Sequence, residues 1–170
     1  VCTCAPEMQH ALARELEGLG FTPDHIDKKA VTISGTFEDV YLLNHCLRTA
    51  NRVLFHLFSF NAANPEALYT SIHQFEWEKW IPLSGYFRVD SFTRNDYIRD
   101  SRFANLKVKD AIVDRFQRMF NRRPDTGSAF TGAVVFVHWV LDKVQVYVDT
   151  SGESIARHGY RQRGGNAPML

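Results

Sequence analysis

The first sixty residues carry six short periodic segments, and their order leaves few folds open. Residues 1–4 alternate as a strand does. Pro6 suits the first turn of a helix, and Glu7 is favourable beside it. Met8, Leu12, Leu16 and Leu19 then keep helical spacing up to Gly20, which predicts a stop there. Residues 21–28 and 30–35 read as two more strands. A second helix is expected over 37–48, with Val40, Leu43 and Leu47 on one side. Residues 51–60, with Val53, Phe55, Leu57 and Phe58, read as a strongly apolar strand. Asn61-Ala-Ala-Asn-Pro65 then breaks the pattern, so a domain boundary is expected at residue 61.

The order β-α-β-β-α-β is the ferredoxin-like arrangement, and residues 1–60 suffice for it. In the remaining stretch, 61–170, Asn64 is a good N-cap and Pro65 suits the first helical position. The spacing predicts a helix over 66–75, a further turn over 77–80 and a strand over 86–92. A hairpin is expected from 133–141 and 144–150 around Asp142-Lys143. Between strand and hairpin lies an amphipathic basic helix starting near Tyr97, ended by Arg122-Arg-Pro-Asp-Thr-Gly127. The expected class is α+β, a ferredoxin-like βαββαβ domain over 1–60 followed by an α/β domain over 61–170. Thirteen Phe and three Trp among 170 residues can fill two small cores. No apolar run approaches the roughly 20 residues needed to span a bilayer, and no leader pattern is present. The chain lacks an initiator Met and opens in strand sequence, so it reads as a piece of a longer protein.

The formal net charge of +1 hides a polarised molecule. Residues 1–92 hold seven basic and eleven acidic side chains, whereas 93–170 hold thirteen and eight. The basic half is the candidate contact surface. Arg99, Arg102, Lys107 and Lys109 crowd the expected helix start, where the macrodipole favours anions. A chain that accepts this conflict has an anion to bind, and nucleic-acid phosphate is the usual polyanion. The alternative is a solvated charged face. Arg94 before the helix, and Arg118, Arg122 and Arg123 at its end, extend the candidate surface. On a helical wheel Leu106, Val108, Ile112, Val113, Phe116, Met119 and Phe120 fill one arc, with Lys107, Asp110, Asp114 and Arg118 opposite. Lys109 falls inside the apolar arc, so it either snorkels outward or is aimed at a phosphate. Near the end, Arg157, Tyr160, Arg161 and Arg163 interleave cations with an aromatic ring. That mixture suits stacking on unpaired bases, or a solvated strand end anchored by one Tyr.

Enzymatic signatures are missing. There is no G-x-G-x-x-G, no P-loop and no nucleophile elbow. Asp110 and Asp114 lie one turn apart and read as ion-pair partners of Lys107 and Arg118 rather than a catalytic pair. No catalytic residue is expected. Cys2, Cys4 and Cys46 have no zinc spacing and the seven His are scattered, so no metal site is expected and the cysteines read as core residues of a reducing compartment.

Four pieces carry a resemblance: Ile98-Arg-Asp-Ser101, Leu106-Lys-Val-Lys-Asp-Ala-Ile-Val-Asp-Arg-Phe116, Asp149-Thr-Ser-Gly152, and His158-Gly-Tyr-Arg161 followed by Ala167-Pro168. In them the chain resembles the N-terminal part of bacterial THUMP-domain methyltransferases. These are the large-subunit rRNA guanine-N2 methyltransferases, a family also described as predicted N6-adenine-specific DNA methylases. The resemblance implies a ferredoxin-like domain, a THUMP domain that holds structured RNA, and a Rossmann-like catalytic domain that binds S-adenosylmethionine. It also implies a cytoplasmic protein with large-subunit rRNA as partner. The Ala-Pro segment leads into the catalytic domain in the family, so that domain is expected beyond Leu170 and no cofactor is expected within these residues. The family's Asn-Pro-Pro-Tyr-type motif is missing, since Asn64-Pro65 runs on into Glu66-Ala67. By position, Arg157, Tyr160 and Arg161 would form the seam with the catalytic domain. The two rival readings are a DNA adenine-N6 methyltransferase piece and a protein-interaction module with a basic helix.

Overall fold

The computed structural model describes residues 1–98, 100–128, 132–152, 154 and 155. Two compact units emerge, one built on Val1–Val53 and one on Leu54–Gly152. The division falls inside a strand that runs on to Asn61, where the sequence pattern places its boundary.

In the first unit the order is β1 (Cys2–Cys4), α1 (Gln9–Gly18), β2 (Pro23–Asp27), β3 (Ala30–Ile33), α2 (Asp39–Cys46) and the start of β4 (Ala50–Asn61). The strands pair antiparallel in the order β2-β3-β1-β4, the expected ferredoxin-like arrangement. Leu12, Ala13 and Leu16 of α1 and Val40, Leu43 and Leu47 in and after α2 are buried. Gly20 stops α1 as expected. Its φ is +90°, its N–H donates to Glu17 O at 3.0 Å, and Phe21 N–H donates to Leu16 O at 3.0 Å, closing the last turn through a left-handed residue. The expected helix start at Pro6 is corrected, because Glu7 sits at φ +69° and a turn fills residues 5–8. Glu15 ties α1 to the run before β4, accepting from Arg48 N–H at 2.8 Å and from Thr49 N–H and Oγ1 at 3.1 and 2.5 Å. Cys2 and Cys4 are buried, and burial pushes the Cys2 thiol up to about 11, which suits a core residue.

The second unit contains the rest of β4, α3 (Pro65–Gln74), a 3-10 turn (Trp77–Lys79), β5 (Tyr86–Arg94), α4 (Ser101–Phe120), β6 (Asp125–Thr126), β7 (Ala133–Val140) and β8 (Lys143–Asp149). The sheet order is β4-β8-β7-β5-β6, with β5 parallel to both β6 and β7 and the other pairs antiparallel. α3 starts as the sequence predicts, with Asn64 Oδ1 accepting from Ala67 N–H at 2.8 Å and Pro65 first in the helix. Leu68 and Ile72 of α3, Ile112 and Phe116 of α4, and Val135, Val137, Trp139, Val144 and Val146 of the sheet share one core. The Trp77 and Trp139 indoles are buried there, donating to Ile72 O at 2.6 Å and Ala62 O at 3.2 Å.

α4 differs from its expected form in two ways. Asn95 Oδ1 accepts from Tyr97 N–H and Ile98 N–H at 3.0 and 2.9 Å, so the residues before Asp100 form a turn. Asp100 is the N-cap, accepting from Arg102 N–H at 2.9 Å. Among the described cations only Arg102 therefore lies in the first turn. Lys107 and Lys109 sit one and two turns further on, beyond the reach of the helix-end charge. The buried stripe is Ala104, Val108, Ala111, Ile112 and Phe116. Leu106 and Met119, assigned by spacing to the apolar arc, are 49% and 56% exposed, and Phe120 is exposed as well. Ala104 and Ala111, rather than Leu106 and Met119, join Val108, Ile112 and Phe116 on the core face.

Candidate nucleic-acid interface

Residues seven apart on a helix return to nearly the same azimuth, and those two apart point to opposite sides. That rule deals the cations of α4 into two sets. Arg102, Asn105, Leu106 and Lys109 form one stripe. With Phe87, Arg88 and Val89 of β5 and Thr126-Gly127 at β6, they line a groove of about 290 Å³. An adjoining cleft of about 220 Å³ shares Lys109 and Thr126 and adds Asp110, Val113, Arg123, Pro124 and Asp125. Lys109 stands between the two, with Nζ 3.0 Å from Asp110 Oδ1. Asn105 Oδ1 is buried in the first groove without a hydrogen-bond partner. An orphaned acceptor beside two cations suits a ligand that brings both N–H donors and negative charge. The groove wall is tight at one point, since a Cβ on Gly127 would meet the Tyr86 hydroxyl and push that ring end aside.

The second set turns toward α3. Lys107 Nζ lies 3.8 Å from Glu66 and 5.9 Å from the Phe103 ring centroid. Asp114, one heptad on, accepts from the Tyr69 hydroxyl at 2.5 Å, and this bond pushes the Tyr69 pKa up to about 12. The ion pairs expected from spacing, Asp110 and Asp114 with Lys107 and Arg118, are thus replaced by Asp110 with Lys109 and Asp114 with Tyr69. Spacing within α4 could not show that Tyr69 on α3 would reach Asp114 first. Arg115, which the sequence reading did not single out, is a structural cation. Its Nε and Nη2 donate to the two Glu78 carboxylate oxygens at 2.8 and 2.6 Å, and its Nη1 donates to His73 O and Gln74 O at 3.3 and 3.0 Å. That pairing holds the Glu78 carboxyl below its usual range.

The remaining candidates scatter. Arg102 is exposed and bonds Asp100 at 2.8–3.2 Å. Arg118 and Arg122 are exposed at and beyond the end of α4, and Arg123 reaches the second cleft. Arg94 ends β5 on a different face, level with Val140. Arg99, Arg157, Tyr160, Arg161 and Arg163 lie outside the described residues. Sequence reasoning missed Asn105, Arg88 and β6. Arg88 is tied to Asp90 at 2.8 and 3.0 Å and to Ser128 O at 2.9 Å.

Arginine, lysine and an amide acceptor around a groove can bind phosphate and a base edge. Among the described residues no His/Cys/Asp/Glu group could hold a metal, and no helix is long and apolar enough to cross a membrane. S-adenosylmethionine would need a glycine-bearing turn after a parallel strand. The turn after β5 is Asn95-Asp96-Tyr97, and Gly127 after the two-residue β6 leads to β7 rather than into a helix, so the described residues do not fit it.

A βαββαβ unit followed by a mixed sheet with a long basic helix makes this an α+β chain. The THUMP domain family model matches residues 62–149, and the RlmL ferredoxin-like domain model matches residues 1–54. The chain belongs to the THUMP family. It is 34% identical over 167 residues to ribosomal RNA large subunit methyltransferase K/L of Syntrophotalea carbinolica, and 35% identical to the Methylococcus capsulatus protein of the same name. Each alignment covers 98% of this chain and 23% of the relative, so the chain spans about a quarter of their length. Among solved structures, a predicted N6-adenine-specific DNA methylase from Listeria monocytogenes superposes with a TM-score of 0.83 at 26% identity, over 99% of this chain and 44% of that one. SMU.472 complexed with SAH gives 0.80 at 25% identity, over 95% and 43%.

Proposed function

We propose that this chain is the RNA-holding part of a cytoplasmic methyltransferase that modifies large-subunit rRNA at guanine N2. In this reading residues 1–60 form the ferredoxin-like domain and residues 61–170 the THUMP domain. A catalytic domain beyond Leu170 binds S-adenosylmethionine, and Arg157, Tyr160 and Arg161 meet it. The observation that carries the reading is the stripe Arg102–Asn105–Lys109 along the groove, continued through Lys109 into the adjoining cleft that Arg123 lines. The cations neutralise phosphates of a structured RNA, while the Asn105 acceptor takes a base or sugar donor. Arg122 extends the charged path beyond the end of α4, while Lys107 and Arg118, eleven residues apart and on one azimuth, contribute less because that side of α4 turns away from the groove. The names of the K/L relatives support rRNA as the partner. The name of the Listeria structure favours a second reading, DNA as the partner.

A competition titration separates them. A labelled rRNA hairpin bound to the chain is displaced by unlabelled RNA or by DNA of the same sequence. RNA is expected to compete at least tenfold better, with log affinity falling steeply against log salt as counterions are released. Equal competition by DNA would move the assignment to the DNA reading. A flat salt dependence would remove the phosphate groove and favour a protein-interaction module.

A further inference from the structure

α3 and α4 cover only one face of the second unit's sheet. On the other face, strand pairing sets Ser59, Gln145, His138 and Phe92 in one row across β4, β8, β7 and β5. The next row is Asn61, Lys143, Val140 and Arg94. A register shift in β4 between His56 and Phe58 lets His56 and Ser59 share this face, with Nε2 and Oγ 2.7 Å apart. Phe92 is 49% exposed, and its ring lies nearly parallel to that of His138, 12° off with centroids 5.3 Å apart. A depression of about 1050 Å³ opens beside them, lined in part by Ser59, Asn61, His138, Val140, Lys143 and Gln145.

The eight positions of these two rows hold two cations and no carboxylate. Nearby acids are engaged elsewhere, Asp90 with Arg88 and Asp142 with the Tyr97 hydroxyl at 2.7 Å. Protein-binding surfaces concentrate apolar and aromatic side chains at a charge-depleted centre. This face instead offers a flat ring pair, three side chains that hydrogen-bond, and positive charge at one end. That combination fits unpaired nucleotides, whose bases stack on aromatic rings while their phosphates seek cations.

We propose that this face binds a single-stranded stretch of RNA, with one base stacked on Phe92 and the neighbouring phosphates on Arg94 and Lys143. It is a second contact beside the α4 groove, and it rests on the RNA-holding reading for its class of partner. Duplex held in the groove and an unpaired strand on the sheet would let the chain recognise a junction between the two.

The test measures binding of the chain to fluorescein-labelled decauridine and to a blunt RNA duplex. Phe92→Ala is expected to weaken decauridine binding roughly five- to one-hundredfold, the range typical of losing one base stack, and to leave duplex binding within twofold. Lys109→Gln is expected to weaken the duplex more than decauridine. Phe92→Trp should keep decauridine affinity, and its indole fluorescence should be quenched on binding. Circular dichroism melting checks that each variant folds. If the unaltered chain binds duplex but not decauridine, or Phe92→Ala binds decauridine normally, this proposal fails while the groove reading stands. If the unaltered chain binds neither RNA, both fail. A change confined to the chain's self-association, with decauridine binding intact, would mark a protein contact and overturn the proposal.

Discussion

Arg115 and Lys109 lie on the same basic helix but do different work, and Arg115→Met tests the difference. Arg115 makes two charge-assisted bonds to Glu78 and two to the carbonyls of His73 and Gln74, all at 2.6–3.3 Å. Its side chain is 14% exposed and that of Glu78 is 26% exposed. Exposed ion pairs contribute up to about 1 kcal/mol, whereas breaking a fully buried pair costs about 3–5 kcal/mol. This pair lies between those limits. The change should therefore cost roughly 2–3 kcal/mol, largely because Glu78 and two carbonyls lose their donor. For a cooperative unit of about 100 residues that corresponds to roughly 8–24 °C in Tm. Urea unfolding and calorimetry read the loss, and a double-mutant cycle with Glu78→Gln should return a coupling of about 1–2 kcal/mol. The sign with pH follows from Glu78. Its carboxyl is held down by Arg115, so the contribution is complete above the ordinary glutamate value of about 4.3 and is lost as pH falls through the lower folded value. The gap between wild type and Arg115→Met should narrow over that acid range. RNA affinity measured well below Tm should change less than twofold. A Tm drop under about 3 °C, or a loss of RNA binding in a fully folded variant, would refute the structural role.

Lys109→Gln should lower the log–log salt slope of RNA binding by about one unit with Tm unchanged, and Lys107→Gln should lower it by less, because Lys109 lines the groove and Lys107 does not. Anisotropy titrations at several salt concentrations compare the two. Gly132→Ala should destabilise the second unit by about 3 kcal/mol, the upper end for overpacking, since the added Cβ would run into the Tyr86 backbone carbonyl, and the urea midpoint reads this directly. Asn64→Ala removes the α3 cap to Ala67 N–H and should cost about 1 kcal/mol in the same assay, with Asn64→Asp restoring most of it.

Most elements were legible because their signals are local. Alternation marked β5, β7 and β8, the spacing of Leu12 and Leu16 marked α1, and Gly20 and Asn64-Pro65 punctuated the chain through their own backbone preferences. The sequence order of the first unit therefore implied its sheet order. β6 escaped because two residues have no period; Asp125 N–H bonds Gly85 O, forty residues away. The start of α4 was misplaced because the Asn95 side chain captures two amides that a helix would otherwise have organised.

The candidate site divides the same way. Composition alone marked the basic half of the chain, and helical spacing alone set Lys107 and Lys109 on opposite sides of α4. Which side would face the open groove depended on where α3 and β6 pack, and that is decided by burial of Ala104 and Ala111 rather than of Leu106 and Met119. The Arg115–Glu78 pair, and the row that joins Ser59 to Phe92 across four strands, link residues tens of positions apart. Local backbone preference carries no record of such partners. They are chosen when the core closes and the strand registers lock, so only the tertiary structure could decide them.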